Sequence, residues 1–517
     1  MQVIDFLDKG AARYPDRHLV HDGVSGITYR EAQLLTYRIA NAIQAAGMGP
    51  DSKIAFLTPN HPLSFIAQYG AIRAGAAWLP LNTRNSIDEN TDILNVLDAE
   101  WMLFHSAYSD DIARVREQCP GIKEYVCIDA ANPHGPNLLE WIAEQPERAP
   151  EVVRGRDDIF ALLTTSGTTG RPKGVMATQL NYESTMASFN ATMSFAEPPV
   201  HLVAAPLTHA AGLFAATMLA QGGTQLILPR ADPALILEWI EKFKVSAMFL
   251  PPTLIYMLLS HPDIRKYDYS SMRYFVYGAA PMSAEKLREA SSVFGPVFFQ
   301  IYGQMEALMM MSTMSPAEHQ EALSDPGKQK RLMSAGRPGP YVTVGVMDDN
   351  GNLLPSGQAG EIVCRGNIVM RGYYNNPAAT SEVSQFGWHH TGDIGKFDED
   401  GFLYLVDRKK DMIISGGFNV YPSEVEQVIW THPAVQDCAV VGIPDEKWGE
   451  AVTAIVEVKP GKTVSAEELI VLCKEKLGGV KAPKSVHFWA NLPRSSVGKV
   501  LKREIRQKFW EGRERMI

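Results

Sequence analysis

The segment at residues 164–174 combines residue types that suit the binding of a polyanion. It reads TTSGTTGRPKG, in which hydroxyl side chains, three glycines and two cations are crowded together. Glycines let backbone N–H groups approach phosphate oxygens closely, and hydroxyls supply further donors. The segment therefore suits phosphate binding, although composition alone favours an exposed turn. It does not match the usual P-loop spacing, because Gly174 follows Lys173 where that motif requires Ser or Thr.

Alternating strand and helix patterns surround this segment. Apolar runs typical of strands occur at residues 159–164, 201–205, 224–228, 245–250, 272–277 and 297–301. Helical patterns lie between them, and one begins at Asp232-Pro233, an N-cap followed by proline at the first helical position. This alternation predicts a parallel sheet flanked by helices. Residues 1–150 show the same alternation less clearly.

The pattern changes twice toward the C-terminus. Residues 342–405 contain short strand patterns separated by turns, which predicts a small antiparallel sheet or barrel. Beyond residue 410, Ser423-x-x-Glu426 and Ser465-x-x-Glu468 both match the capping box that opens a helix. We therefore predict an α/β fold with two domains. The larger, residues 1–409, has parallel α/β sheets and a small β-barrel-like subdomain, and the smaller, residues 410–517, is α+β.

The overall composition is that of an ordinary globular protein. The 517 residues are enough for roughly two to four domains, and 45% of them are apolar. With 49 basic and 58 acidic residues the net charge is −9, which disfavours a nucleic-acid or anionic-lipid surface. Five scattered cysteines form no C-x-x-C pair and predict neither a zinc site nor a disulfide framework. No signal-peptide pattern or membrane-length apolar stretch is visible, so we expect a cytoplasmic protein.

Several motifs, in order along nearly the whole chain, resemble those of the adenylate-forming superfamily. That superfamily comprises acyl-CoA synthetases, luciferases and peptide-synthetase adenylation domains. Residues 164–174 resemble its signature segment. The other matching segments are Gly278-Ala279-Ala280-Pro281, Tyr302-Gly303-Gln304-Met305-Glu306, Thr391-Gly392-Asp393, Asp407-Arg408-Lys409-Lys410-Asp411, and residues 415–419, 422–426 and 493–499. The chain is most similar to an acyl-CoA synthetase.

This resemblance implies a reaction in two steps. A carboxylate attacks the α-phosphorus of ATP, giving an acyl adenylate and pyrophosphate, and the thiol of CoA then displaces AMP to form a thioester. The first step brings anions together, so cations are needed where negative charge develops. By resemblance, Lys499 is catalytic and bridges the acid and the α-phosphate, while Glu306 holds Mg²⁺.

The resemblance also implies which residues bind the nucleotide and CoA. Tyr302 would offer an aromatic face to adenine, and Asp393 and Arg408 would hold the ribose hydroxyls. The full predicted ATP and AMP set is Thr165, Ser166, Gly167, Thr168, Thr169, Lys173, Gly278, Ala279, Ala280, Tyr302, Gly303, Asp393, Arg408 and Lys499. Gly416, Gly417 and Trp448 are the predicted CoA residues. Lys410 is the predicted hinge about which the C-terminal domain rotates between the two steps.

The acid is predicted to be apolar. By resemblance the acid-binding residues are His209, Gly212, Gly278, Met305, Leu308 and Met309. The methionines suit an adaptable apolar cavity, although core packing is the more common use of such a run. No acidic residue occurs between His201 and Ala231, where an amino-acid-activating enzyme pairs the substrate ammonium. An aromatic, alicyclic, branched or medium-chain acid fits these features.

Met305 departs from the superfamily, which usually has threonine at this position. A thioether cannot donate a hydrogen bond. One phosphate contact is therefore missing, or Thr168 or Thr169 supplies it.

CoA is the predicted acceptor of the acyl group. Three alternative functions of the protein stay open. A peptide-synthetase module would carry a phosphopantetheine serine, whereas Leu477-Gly478-Gly479-Val480 has glycines but no serine. The alternatives are a freestanding acyl-AMP ligase that loads a separate carrier, a luciferase-like oxidation, and a non-catalytic nucleotide sensor. The presence of Glu306 and Lys499 favours an enzyme. The expected partners are a small carboxylic acid, ATP and CoA, without nucleic acid, and the sequence leaves a homo-oligomer open.

Overall fold

The computed structural model describes residues 2–166, 172–494 and 500–511. The chain folds into two compact units, one formed by Met1–Val344 with Cys364–His389 and the other by Gly345–Val363 with His390–Ile517. The predicted boundary at residues 409 and 410 differs from this division. That boundary marks the segment that is predicted to rotate between the two steps, and it stays a prediction.

Helices and strands are numbered in chain order. The helices are α1 Ile4–Arg13, α2 Tyr29–Ala45, α3 Pro62–Arg73, α4 Ile87–Val96, α5 Ser109–Gln118, α6 Leu138–Trp141, α7 Gln179–Thr192, α8 Ala210–Ala216, α9 Pro233–Lys242, α10 Pro252–Leu259, α11 Ala284–Phe294, α12 Pro316–Ser324, α13 Pro377–Glu382, α14 Pro422–Trp430, α15 Ala466–Lys481 and α16 Lys502–Trp510. The strands are β1 His18–His21, β2 Gly26–Thr28, β3 Lys53–Leu57, β4 Ala77–Pro80, β5 Trp101–Phe104, β6 Glu124–Cys127, β7 Ile159–Ser166, β8 Pro172–Thr178, β9 Val200–Val203, β10 Thr224–Ile227, β11 Ala247–Leu250, β12 Tyr274–Tyr277, β13 Phe298–Gln304, β14 Ala307–Met314, β15 Arg337–Pro338, β16 Val342–Met347, β17 Gly360–Gly366, β18 Gly372–Tyr373, β19 Ser384–Gln385, β20 Trp388–Phe397, β21 Leu403–Arg408, β22 Ile413–Ser415, β23 Phe418–Val420, β24 Val435–Asp445, β25 Gly449–Val458 and β26 Ser485–Phe488.

The first unit contains a nine-stranded sheet with the order β15-β14-β13-β12-β11-β9-β10-β1-β2. Its central strands β10, β9, β11, β12 and β13 are parallel, which confirms the alternation predicted over residues 201–301. Helix α9 begins as expected, because the Asp232 side chain accepts hydrogen bonds from the amides of Ala234 and Leu235. The parallel strands therefore end at a common edge, where ligands bind in α/β sheets.

A second sheet of the first unit has the order β18-β8-β7-β4-β3-β5-β6. Strand β7 lies here and not beside the strands of residues 201–301, a placement that periodicity alone does not determine. Helices α4 and α5 bury Leu94 and Val115 against Met102 and Phe104 of this sheet, which forms a core cluster. Strand β7 turns back into antiparallel β8 at the phosphate-binding segment.

The second unit contains antiparallel strands and the helices α14, α15 and α16, which pack on a sheet. Strands β20 and β21 pair antiparallel, which agrees with the small antiparallel sheet predicted within residues 342–405. A further sheet has the order β23-β22-β25-β24, with β26 beside β25. Helices α14 and α15 bury Ile429, Leu469 and Cys473 in its core.

One of the two predicted capping boxes is wrong. Ser465 caps α15 and forms the box with Glu468, as predicted. Helix α14 instead has Tyr421 at its N-cap and Pro422 in the first turn. The amide of Ser423 donates to Asp407 Oδ2 at 2.8 Å. A carboxylate from strand β21 therefore accepts a hydrogen bond from one of the free amides at the start of this helix. The Glu426 side chain is occupied elsewhere, because it accepts from the amide of Val440.

All five cysteines are buried, and none of them is part of a disulfide bond. Within the described ranges, no helix has both the length and the apolar character needed to cross a bilayer.

Candidate active site

The predicted phosphate-binding segment, residues 164–174, begins on β7 and ends on β8, and these two strands pair antiparallel. Thr165 lies opposite Lys173 in the ladder, one pair before the loop. The predicted residues Gly167, Thr168 and Thr169, and the side chain of Ser166, lie outside the described part of the chain. The hairpin therefore brings one predicted hydroxyl and one predicted cation to the base of the loop.

The segment around Glu306 is a second hairpin, formed by β13 and β14. Gln304 pairs with Ala307, so Met305 and Glu306 form the two-residue turn. The ladder shifts register between Tyr302 and Gln304. The hairpin gathers Tyr302, Gly303, Met305, Glu306, Leu308 and Met309, which sequence analysis assigned to ATP, metal and acid.

Gly303 is required at the irregular part of this hairpin. Met309, on the facing strand, has a φ of 54°, in the left-handed region that residues with a Cβ seldom adopt. A Cβ at Gly303 would lie 2.5 Å from the backbone of Met309. The close approach of the two strands leaves no room for a side chain at position 303.

The Glu306 carboxylate is buried, with an exposed fraction of 9%. The Tyr373 hydroxyl donates a hydrogen bond to Glu306 Oε1 at 2.8 Å. Sequence analysis missed Tyr373, because no recognised motif includes it. Among the described residues, no cluster of three His, Cys, Asp or Glu could hold a metal. A lone carboxylate still suits Mg²⁺, which takes one or two carboxylates and completes its shell with phosphates and water.

The turn after β12 contains Gly278, Ala279 and Ala280. A Cβ at Gly278 would lie 2.5 Å from the carbonyl oxygen of Ile301, so β13 passes directly against the turn. Ala279 has a φ of 65°, a conformation that costs on the order of 1 kcal/mol for a residue with a Cβ. Backbone strain of this size persists where the surroundings fix it, as at ligand sites.

A buried histidine anchors the strand that leads into this turn. His319 donates from Nδ1 to the Ser315 carbonyl and accepts at Nε2 from the Tyr277 hydroxyl, both at 2.8 Å. Burial lowers the pKa of His319 to about 4, so the imidazole is neutral and this pattern of donors is fixed. Neither Tyr277 nor His319 carries a sequence signal for this role.

The predicted acid-binding loop, residues 206–212, is held by Asn60. Its amide donates to the carbonyls of Ala205 and Leu228, both at 3.1 Å, and its oxygen accepts from the amide of Leu207 at 2.8 Å. A Cβ at Gly212 would lie 2.0 Å from the carbonyl oxygen of Leu207. Asn60, which sequence analysis did not single out, therefore fixes the start of the loop.

His209 lies in this loop beside Thr208, with Nδ1 2.9 Å from the threonine hydroxyl. Burial, with the charge of Arg84, lowers the pKa of His209. The imidazole is therefore neutral near pH 7 and does not present a cation to the acid. The loop of residues 206–212 follows β9, the turn of residues 278–280 follows β12, and the turn with Glu306 follows β13. All three therefore lie at the same edge of the sheet.

The predicted ribose ligands of the second unit lie opposite each other on β20 and β21. Arg408 Nε lies 2.7 Å from Asp393 Oδ1, and the Asp393 side chain is only 8% exposed. The Asp393 amide donates to the Thr391 hydroxyl at 3.1 Å, which fixes the turn. Gly392, with a φ of 71°, donates its amide to Glu361 at 3.0 Å.

The predicted hinge residue Lys410 is the middle residue of a 3₁₀ turn, Lys409–Asp411. Lys409 Nζ lies 2.7 Å from Asp349 Oδ1 and 3.2 Å from Glu361 Oε2. On the other side, Arg506 pairs with Asp411 at 2.8 Å. Ion pairs therefore hold both neighbours of Lys410.

Comparison with known proteins agrees with these motifs. Residues 7–374 match the model of the AMP-binding enzyme family, and residues 424–499 match the model of the AMP-binding enzyme C-terminal domain. The chain belongs to the AMP-binding enzyme family.

Relatives of this AMP-binding enzyme extend over its length. A feruloyl-CoA synthase from an Amycolatopsis species is 36% identical over 501 residues, covering 96% of each chain. The medium/long-chain-fatty-acid–CoA ligase FadD8 of Mycobacterium tuberculosis is 35% identical, covering 92% of this chain and 84% of that protein. The solved structure of the amide bond synthetase McbA from Marinactinospora thermotolerans is 30% identical, with a TM-score of 0.88 over 98% of this chain and 100% of that one.

In this AMP-binding enzyme, the predicted CoA residues Gly416, Gly417 and Trp448 come together. The two glycines form the turn between β22 and β23, with φ values of 59° and 81°. The Gly416 amide donates to the Trp448 carbonyl at 2.8 Å. The ammonium groups of Lys447 and Lys484 lie 4.9 and 5.1 Å from the centroid of the Trp448 ring system.

Lys499 lies outside the described residues, but the chain on both sides of it is anchored. Arg494 pairs with Asp437 at 2.8 Å. Lys502, at the start of α16, lies 2.8 Å from the buried carboxylate of Glu426. The role of Lys499 stays a prediction.

Proposed function

We propose that this chain is an AMP-forming carboxylic acid–CoA ligase whose acid is apolar. As a member of the AMP-binding enzyme family with CoA ligases among its full-length relatives, it activates a carboxylic acid with ATP and transfers the acyl group to CoA. The observation that carries the proposal is the contact of Tyr373 with both Glu306 and Lys173. It joins the carboxylate that we propose to hold Mg²⁺ to the base of the hairpin that we propose to bind phosphate.

The first step is the formation of the acyl adenylate. A carboxylate oxygen of the acid attacks the α-phosphorus, and the bond to the pyrophosphate oxygen breaks. Lys173 and Lys499 are the cations proposed to balance the charge that develops. Glu306 would hold Mg²⁺, which screens phosphate charge when bound.

The second step transfers the acyl group to CoA. The thiol sulfur attacks the acyl carbonyl carbon, and AMP leaves with the bonding electron pair. Trp448 with Lys447 and Lys484 forms an aromatic surface that carries two cations. Such a surface suits the phosphate-bearing nucleotide end of CoA, and the glycine turn lets the pantetheine arm pass close to the backbone.

The apolar character of the acid is supported by the residues of the Glu306 hairpin. Leu308 and Met309 are buried, and His209 is neutral because burial lowers its pKa. The names of the two relatives, feruloyl-CoA synthase and medium/long-chain-fatty-acid–CoA ligase, both denote acids with a largely apolar body.

A panel of acids tests this function. Aromatic, alicyclic, branched and medium-chain acids, together with amino acids, are incubated with ATP and Mg²⁺. Pyrophosphate is measured before CoA is added, and AMP and thioester are measured afterwards. We expect pyrophosphate release with at least one apolar acid and CoA-dependent formation of AMP and thioester. Preference for an amino acid would contradict the apolar site. If the protein binds ATP but releases no pyrophosphate from it in the presence of any acid, the nucleotide sensor would be favoured.

A further inference from the structure

A short segment connects the two hairpins of the first unit. Residues 368–374, here called the strap, pair at one end with the Glu306 hairpin, where the Met370 amide donates to the Glu306 carbonyl at 2.8 Å. At the other end the strap pairs with β8, where Tyr373 lies opposite Val175. The strap is therefore hydrogen-bonded to the hairpin that carries the carboxylate and to the hairpin that ends in the phosphate-binding loop.

One side chain of the strap contacts the functional groups of both hairpins. Tyr373 is 7% exposed, and its hydroxyl donates to Glu306 Oε1 at 2.8 Å. The ammonium group of Lys173 lies 4.9 Å from the centroid of the same ring. A hydrogen bond to an ionised acceptor and a cation over a ring face are both stronger in a buried site than in water.

Other residues fix Tyr373 in this position. Its amide donates to the Thr380 hydroxyl at 2.8 Å. The Asn181 side chain donates to the carbonyls of Asn367 and Val369, at 2.8 and 2.7 Å, and so ties down the start of the strap. A side chain supported in this way can hold another group in a single orientation.

The Tyr373 hydroxyl is the donor in its contact with Glu306, because a carboxylate oxygen accepts. A glutamate side chain has several rotatable bonds, and the hydrogen bond removes most of that freedom.

We propose that Tyr373 is a positioning residue for adenylation, which fixes Glu306 for a divalent cation and holds Lys173 beside the phosphates. Glu306 Oε1 is engaged by the phenol, and Oε2 would be the oxygen offered to the cation. The proposal rests on the proposed function, because the cation and the phosphates belong to the ATP that the enzyme uses.

The test compares Tyr373→Phe with Tyr374→Phe. Tyr374 is a matched control in the same strap, because its hydroxyl also donates to a carboxylate oxygen, Asp98 Oδ2, at 2.9 Å. Unlike Glu306, Asp98 is exposed. Calorimetry without any acid measures ATP affinity in Mg²⁺ and in EDTA. We expect Tyr373→Phe to lower the Mg²⁺-dependent gain in affinity about tenfold or more, the usual effect of losing a hydrogen bond to a charged group. The ATP affinity of Tyr373→Phe in EDTA should equal that of the parent. Tyr374→Phe should have the ATP affinity of the parent in both Mg²⁺ and EDTA.

Two further variants separate positioning from a general structural effect. In a Glu306→Gln background, adding Tyr373→Phe should have no further effect on metal dependence. Tyr373→His, which keeps a ring and an N–H donor, should retain more of the Mg²⁺ effect than Tyr373→Phe. A thermal melt verifies that each variant is folded.

Two results would overturn the proposal. The first is a Mg²⁺ dependence of Tyr373→Phe equal to that of the parent. The second is an equal loss of ATP affinity in Mg²⁺ and in EDTA, which would indicate a distorted phosphate loop. Neither depends on acid activation, so failure of the proposed function would appear separately, as a parent enzyme that releases no pyrophosphate with any acid.

Discussion

At the scale of single residues, position 305 has methionine where the family usually has threonine. A single substitution can test the effect of this difference. Met305 is half-buried in the two-residue turn of the Glu306 hairpin, so its removal leaves only a small cavity. We predict that Met305→Thr folds and that its apparent KM for ATP is lower than or equal to that of the parent, because threonine restores a hydroxyl donor. ATP titration of pyrophosphate release measures this. A folded variant with a markedly higher KM would show that the thioether has a positive role.

Lys499 is predicted to act in the first step alone. Lys499→Ala should reduce adenylate formation about 10²–10³-fold, the usual effect of losing one group that stabilises developing charge. Thioester formation from a supplied acyl adenylate should change far less, since no phosphate charge develops in that step. The two half-reactions are measured separately, with Lys330→Ala, an exposed lysine of the first unit, as the matched control. An equal loss in both steps would contradict this role.

His319 should make the stability of the enzyme depend on pH. Its pKa of about 4 lies below the ordinary value of 6.5, because burial disfavours the charged imidazole. The unfolded chain therefore binds a proton that the folded chain does not, and this contribution to stability is lost as the pH falls from about 6.5 toward 4. Between pH 7 and pH 5 the loss from His319 is about 2 kcal/mol.

Urea unfolding at pH 7 and pH 5 checks this expectation. The free energy of unfolding of His319→Gln should fall less between the two pH values than that of the parent, by about 2 kcal/mol. The pH-dependent difference is the readout, because the substitution also changes stability at pH 7. Identical pH dependence in the two proteins would mean that folding does not shift the pKa of His319.

At the scale of elements, a buried ion pair holds helix α16 to helix α14 within the second unit. Lys502 approaches both oxygens of Glu426, at 2.8 and 3.0 Å, and the Glu426 side chain is 6% exposed. We predict that Lys502→Met destabilises the protein by about 3–5 kcal/mol, since an unpaired carboxylate stays buried. Lys286→Met, which removes a half-exposed pair with Glu289, should cost under about 1 kcal/mol.

The double variant Glu426→Gln with Lys502→Met should recover much of the lost stability, because both charges are removed together. Urea denaturation of the single and double variants measures the coupling. Additive effects of the two substitutions would show that the ion pair does not stabilise α16.

The elements also show what the sequence could and could not predict. The alternating pattern predicted the parallel strands β9 to β13, because each strand has an apolar run and helical patterns lie between the runs. It did not predict that β7 belongs to the other sheet, since strand pairing depends on contacts distant in sequence. The capping box at Ser423 failed because Asp407, sixteen residues earlier, competes for the same amide.

Motifs identified the candidate site residues by resemblance alone. The structure places Gly278 in a turn and pairs Asp393 with Arg408, while the roles of these residues stay predictions. Asn60, Tyr373 and His319 could not be predicted, because their roles arise only when distant segments are packed together. Their single-residue patterns do not differ from those of ordinary core residues.

At the scale of the whole molecule, one chain must perform two reactions with different co-substrates. If residues 410–517 rotate about Lys410, the torsions of that residue must change between the steps. Proline fixes φ near −65°, which the 3₁₀ turn tolerates, and restricts the preceding residue as well. We predict that Lys410→Pro retains single-turnover pyrophosphate release and loses most thioester formation.

Lys410→Ala is the control, since it removes the charge and keeps the torsional freedom. It should retain both half-reactions. Thioester formation by the proline variant at the parent rate would contradict a rotation about this residue.

The hydrogen bonds of Ser423 span this predicted hinge. Its amide donates to Asp407 and its hydroxyl to the carbonyl of Val406, so both bonds join chain that precedes Lys410 to chain that follows it. A large change of torsion at Lys410 breaks both bonds and leaves the first turn of α14 without its carboxylate. The side chain at position 407 therefore links two quantities that are usually measured apart. One is the fraying of a helix terminus, seen by amide hydrogen exchange, and the other is the ratio of the two half-reaction rates.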